Sequence, residues 1–178
     1  FDMTAYSDYF ENKLSEDIFE EENVNKALAD LPIRAIILGR IEYYQSKSQI
    51  KRNTPIPLSY QGQIEQLVKN CNGIGISGSN ENSDSSLKQF SKTKQSYFIS
   101  KQLRKKTEPE RCILLKPDFL IHMTYATKND LKFVSKKIKG IVVCPRANAS
   151  LAEGIPNVDQ MLKAKCNVTI GTDNVMIN

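Results

Sequence analysis

The chain of 178 residues has no tryptophan and a single histidine, His122. A lone imidazole excludes a His-rich metal centre, and neither H-x-H nor H-E-x-x-H occurs. The four cysteines, Cys71, Cys112, Cys144 and Cys166, include no C-x-x-C pair. A zinc knuckle and a redox dithiol of that spacing are excluded, and a reduced, cytoplasmic protein is expected. No apolar run is long enough to cross a bilayer, and no secretory signal pattern is seen, so no membrane partner is expected.

The excess of one charge sign is also small, with 25 Lys and Arg against 20 Asp and Glu. The formal net charge is +5 and the pI about 9.0. Basic residues are scattered among acids, and the densest cluster, Arg104-Lys105-Lys106, has no aromatic beside it to stack on a base. That argues against a nucleic-acid partner. The length suits one core-bearing domain but falls short of the roughly 250 residues typical of a complete (β/α)8 barrel. Position 1 is not Met, and Phe1-Asp2-Met3-Thr4 reads as the end of a strand, so a fragment or truncated product is expected. No shift in composition marks a boundary, and residues 1–178 are read as one partial domain.

What is present is an alternation of short apolar runs and helical patterns. Ile33–Gly39, Gly73–Gly78, Tyr97–Ser100, Phe119–His122, Ile141–Cys144 and Val168–Gly171 read as strands covered on both faces. Helices are expected over Asn23–Leu31 and Gln61–Lys69. Two more are expected around Leu131, Val134 and Ile138, and around Val158, Met161 and Leu162, the last capped by Asn157. Gln45–Ser59 and Ser77–Ser86 read as irregular loops. This alternation means an α/β fold with parallel strands and right-handed crossovers. A TIM-type barrel and an open doubly wound sheet both produce it.

Two strand ends carry chemistry. Asp173 follows Val168-Thr169-Ile170-Gly171-Thr172, where a carboxylate can ligate a cation and accept a proton. His122 ends Phe119-Leu120-Ile121, where an imidazole can orient water or stabilise developing charge. Cys144 follows Ile141-Val142-Val143 and reads as a small buried hydrophobe.

Four motifs in order, Ile121-His122-Met123-Thr124-Tyr125-Ala126-Thr127, Cys144-Pro145-Arg146-Ala147-Asn148, Gly154-Ile155-Pro156-Asn157-Val158 and Gly171-Thr172-Asp173-Asn174-Val175-Met176, resemble the amidohydrolase superfamily. The nearest group is its cytosine/guanine deaminase and triazine chlorohydrolase branch, in an archaeal form. The resemblance implies a (β/α)8 barrel that lacks its first strand in this chain, with Phe1-Asp2-Met3 on the second. It implies a metal-dependent hydrolase of carbon–nitrogen bonds, a divalent zinc or iron cofactor, a small nitrogen heterocycle or amide as substrate, and a homo-oligomer. His122 matches the residue that contacts the attacking water or substrate. Asp173 matches the metal ligand that also shuttles the water's proton. Cys144, Pro145 and Asn148 match the loop that shapes the substrate pocket.

One requirement of the family is missing from the sequence. The fifth strand should end in a metal-binding histidine followed three residues later by a catalytic glutamate. The matching run is Phe98-Ile99-Ser100-Lys101-Gln102-Leu103, and no shift of the match can supply a histidine. Lys101 would repel a cation, and Ser100 is a poor zinc ligand. An absent or weakly held metal and an inactive chain are expected, with a non-catalytic barrel that binds a ligand or partner as the alternative.

Overall fold

The computed structural model describes residues 2–3, 29, 34–36, 38–41, 43–76, 78–92, 98–100, 111–112 and 115–173. Its strands are β1 (Asp2–Met3), β2 (Arg34–Ala35), β3 (Leu38–Gly39), β4 (Gly73–Ile76), β5 (Phe98–Ser100), β6 (Phe119–Ile121), β7 (Gly140–Val143) and β8 (Val168–Ile170). The helices are α1 (Lys47–Lys51), α2 (Gln61–Asn70), α3 (Asp84–Phe90), α4 (Lys128–Val134), α5 (Pro145–Ser150) and α6 (Val158–Lys163). β1 pairs with β2, and β3 to β8 form one six-stranded sheet in chain order, every pair parallel. A doubly wound sheet would reverse its strand order partway. These described strands do not, and each crossover returns the chain to the next position along.

The strand expected over Ile33–Gly39 is split in two. Residues 34–35 pair back to β1, and 38–39 pair forward to β4. The expected helix over 23–31 lies outside the described residues, Ala29 apart. Helix α2 buries Ile64 and Leu67, with Val68 packed at the edge of the same cluster. Helix α4 starts at a capping box: Asp130 N–H donates to Thr127 Oγ1 at 3.2 Å, and Thr127 N–H donates to Asp130 Oδ2 at 2.8 Å. Asn157 caps α6 as expected, its Oδ1 accepting from Gln160 N–H at 3.0 Å.

The core forms two clusters along the helix-covered face. One gathers Ile64, Leu67, Ile74, Ile76, Leu87 and Phe90. The other gathers Leu120, Met123, Leu131, Val134, Ile141 and Met161. At the N-terminal end of β6 and β7, Lys139 Nζ meets Asp118 Oδ1 at 2.7 Å, and Asp118 O accepts from Lys139 N–H at 2.7 Å. That end is tied down for stability. The chemistry-bearing residues sit at the other.

Both stretches expected to be irregular contain helices. Ser83 caps α3, and Leu87 and Phe90 go into the core. Gln45 joins the two stretches: it donates to Thr54 O at 2.7 Å, and its Oε1 accepts from Ser83 N–H at 2.7 Å and from Ser86 Oγ at 3.1 Å. Arg111 holds the same corner through Asp84, Asn80 and the Asn82 carbonyl.

Candidate active site at the strand exits

Parallel strands bring their C-terminal ends to one edge, and three neighbouring exits carry His122, Cys144 and Asp173. The register sets Leu120 beside Ile141 and Ile141 beside Val168. Two hydrogen bonds extend the ladders past the strands. His122 N–H donates to Val142 O at 2.8 Å, and Gly171 N–H donates to Val143 O at 2.8 Å.

The backbone leaves the sheet abruptly at both flanking exits. His122 has φ +67°, Met123 +50° and Asp173 +63°. Side chains other than glycine seldom occupy this left-handed region, and such conformations gather at functional sites. The turn at 122–123 buries Met123 in the core and keeps His122 buried at the mouth. Met123 N–H donates to Ile121 O at 3.0 Å, closing the turn.

The side chains converge. His122 Nε2 and Asp173 Oδ2 are 3.5 Å apart, and each side chain is only 6% exposed. Cys144 Sγ completes a trio whose nitrogen, sulfur and oxygen atoms all lie within 4.8 Å of one another. Gly171 makes room for it. A Cβ there would fall 3.2 Å from Cys144 Sγ and 2.9 Å from Val142 Cγ1.

Asn148 has a different place. It is buried in α5, and its Nδ2 donates to Thr124 Oγ1 at 2.8 Å, two residues past His122. It ties the turn after β6 to the helix after β7. Tyr125 Oη adds a second tie by donating to Glu153 O at 2.9 Å. In the motifs, Gly171 reads only as a residue that allows a tight exit from the strand, and Thr124 carries no separate task. A hydrogen bond across 24 residues and a clearance of a few ångströms leave no periodic signal. Cys144 was expected to shape the pocket, and the structure adds that its sulfur stands among the donors. The other cysteines lie elsewhere, all buried. Burial pushes the pKa of the Cys166 thiol up from that of an ordinary cysteine. For the fifth strand, β5 ends at Ser100 level with Leu120. Residues 101–110 lie outside the described residues.

The model of the amidohydrolase family matches residues 66–178. The chain belongs to the amidohydrolase family. An uncharacterized protein of the archaeon Methanocaldococcus jannaschii is 36% identical to this amidohydrolase over 181 residues, 87% of this chain and 43% of its own length. Among solved structures, guanine deaminase from C. acetobutylicum, with guanine bound in its active site, matches at TM-score 0.68 and 15% identity. That match covers 90% of this chain and 44% of the deaminase. Atrazine chlorohydrolase TrzN from Arthrobacter aurescens TC1, complexed with zinc, matches at TM-score 0.64 and 12% identity, over 88% of this chain and 42% of its own. The chain thus spans less than half the length of each. Both are TIM-barrel amidohydrolases, and at those identities they show that this chain shares the α/β, parallel-strand fold of the part of them that it covers. No described helix is long and apolar enough to cross a membrane.

Proposed function

We propose that this amidohydrolase is, by lineage, a divalent-metal-dependent hydrolase of carbon–nitrogen bonds in small heterocycles or amides, of the deaminase and chlorohydrolase type. We further propose that this chain alone does not turn such substrates over. The carrying observation is the meeting of His122 Nε2 and Asp173 Oδ2 at 3.5 Å on the C-terminal rim of the sheet. The sequential parallel order supports reading the strands as the wall of a (β/α)8 barrel, from its second strand to its eighth, within one domain.

The family implies a metal, zinc or iron, and the donors present suit one: a buried imidazole, thiol and carboxylate within 4.8 Å. When bound, a divalent cation supplies Lewis acidity and lowers the pKa of water. The chain's own residues do the rest. Asp173 would anchor the ion and accept a proton at its carboxylate. His122, fixed by its turn, orients water or the substrate. Asn148 keeps the adjoining loop in place through Thr124.

The run Ser100-Lys101-Gln102-Leu103 offers neither an imidazole nor a carboxylate at the fifth exit. Without that second acid–base group, the departing nitrogen lacks a proton donor, and turnover fails. The same run favours a second reading, a barrel that binds a small ligand or partner without catalysis. The test is an assay of zinc- and iron-loaded protein with pyrimidine, purine and triazine substrates. No turnover is expected. Turnover that Asp173→Ala abolishes would refute the inactive assignment and support the lineage. Turnover unaffected by Asp173→Ala would sink the site itself.

A further inference from the structure

We propose that His122, Cys144 and Asp173 form a cation site in which the Cys144 thiolate is itself a ligand, so that this chain selects a thiophilic ion such as zinc over magnesium or calcium. The proposal rests on reading the strand-exit rim as a metal site, and it changes that site in two ways: His122 binds the ion instead of orienting water or substrate, and the Cys144 sulfur joins as a ligand. Within the resemblance, Cys144 only shapes the pocket.

Position makes the first argument. β6 and β8 are not neighbours, since β7 lies between them. The His122 and Asp173 side chains therefore meet over the exit of β7, where Cys144 stands. Three strands each deliver one donor to one point, and all three residues are buried or nearly so. The 3.5 Å between His122 Nε2 and Asp173 Oδ2 exceeds a direct N–H···O bond of about 2.7–3.2 Å. It matches the ligand-to-ligand spacing of about 3.3–3.8 Å that follows from tetrahedral zinc bonds of about 2.0–2.3 Å.

The backbone makes the second. Left-handed φ at both His122 and Asp173 means that two of the three donors are held at some conformational cost. Gly171 contributes by omission, because any Cβ would press on Cys144 Sγ and Val142. The sulfur has been given space beside a carboxylate and an imidazole. A purely structural cysteine needs neither neighbour.

Donor chemistry makes the third. Thiolate, imidazole and carboxylate together suit zinc, whereas magnesium and calcium take oxygen donors. The sequence provides no imidazole at the fifth exit, and sulfur from the seventh offsets that loss. With His122 and Cys144 both engaged on the ion, neither is left to move protons. Such a site holds a cation without hydrolysing a substrate.

The experiment loads the full chain with zinc, dialyses it, and measures zinc content and X-ray absorption at the zinc edge. Expected are close to one equivalent of zinc and a sulfur shell at about 2.3 Å beside nitrogen and oxygen. Cobalt in place of zinc should show a thiolate-to-cobalt charge-transfer band. Cys144→Ser should lose the shell and the band and weaken zinc binding at least tenfold, while Cys112→Ser keeps all three. Zinc held by nitrogen and oxygen alone would overturn the thiolate ligand yet leave the lineage reading standing. Failure of the wild-type chain to retain zinc, or a sulfur shell that persists in Cys144→Ser, would also overturn it. A sulfur shell without turnover on any heterocycle would support it whatever becomes of the hydrolase reading. If Cys144→Ser does not fold, the wild-type absorption spectrum decides alone.

Discussion

His122 Nε2 and Asp173 Oδ2 lie 3.5 Å apart although their strands, β6 and β8, are separated by β7. The two side chains reach over an intervening strand exit because each backbone turns through a left-handed conformation as it leaves the sheet. The sheet supplies parallel exits at a fixed spacing, and the turns bring the side chains toward each other. Both conditions rest on packing: Met123 is buried beneath the first turn, and Gly171 clears the approach to the second.

Gly171→Ala tests that clearance. The new methyl would stand 2.9 Å from Val142 Cγ1 and 3.2 Å from Cys144 Sγ, and neither belongs to a long flexible side chain. Overpacking of this kind costs about 1–3 kcal/mol. Chemical denaturation should show a loss of that size, with Cys144 displaced and zinc retention reduced. A wild-type midpoint together with wild-type zinc content would show that the space beside Cys144 is not needed.

Lys165→Gly should stabilise the chain. Lys165 follows α6 with φ +61° and is exposed. Its N–H donates to Leu162 O at 2.9 Å, and Cys166 N–H donates to Met161 O at 3.0 Å. This pair of bonds is the Schellman ending, whose left-handed position favours glycine. The gain should be about 1 kcal/mol, since the left-handed region costs a side chain roughly 1–2 kcal/mol and glycine loses more chain entropy on folding. Thermal unfolding of the two proteins measures it. A lower melting temperature for the glycine variant would contradict the argument.

Where local chemistry decided the structure, the sequence could be read. Five apolar runs became strands within a residue or two, because a parallel strand covered on both faces must be apolar throughout. Asn157 and the Leu131 and Val134 spacing marked α6 and α4, since caps and periodicity are written in neighbouring residues. Helix α3 was missed, although Ser83, Asp84, Leu87 and Phe90 carry a cap, an acidic first turn and an apolar pair. The surrounding Ser and Asn residues masked it. Helix α5 was hidden in a motif read as a loop, with Pro145 at its first position. His122 and Asp173 were legible as strand-end residues, and their shared rim follows from parallel strands. The place of the Cys144 sulfur beside them was not legible. It depends on which strand lies between which, and on a methyl group that Gly171 lacks.

The free edge of β8 carries the last prediction. Gly171 N–H points to β7. By the alternation of a strand, the N–H groups of Val168 and Ile170 then point away from it. Among the described strands, β8 pairs with β7 alone. Its side chains are poorly covered, and Ile170 is 82% exposed. An open edge of this kind, bearing a β-branched apolar residue and no charge, is a template for pairing with another chain. The protein should therefore self-associate, with its mean mass in sedimentation equilibrium rising over a tenfold increase in concentration. Ile170→Lys places a charge on the edge without touching the β7 ladder, and should shift the population toward monomer while the circular dichroism spectrum stays unchanged. A wild-type chain that remains monomeric throughout would show that the β8 edge is covered within a single chain.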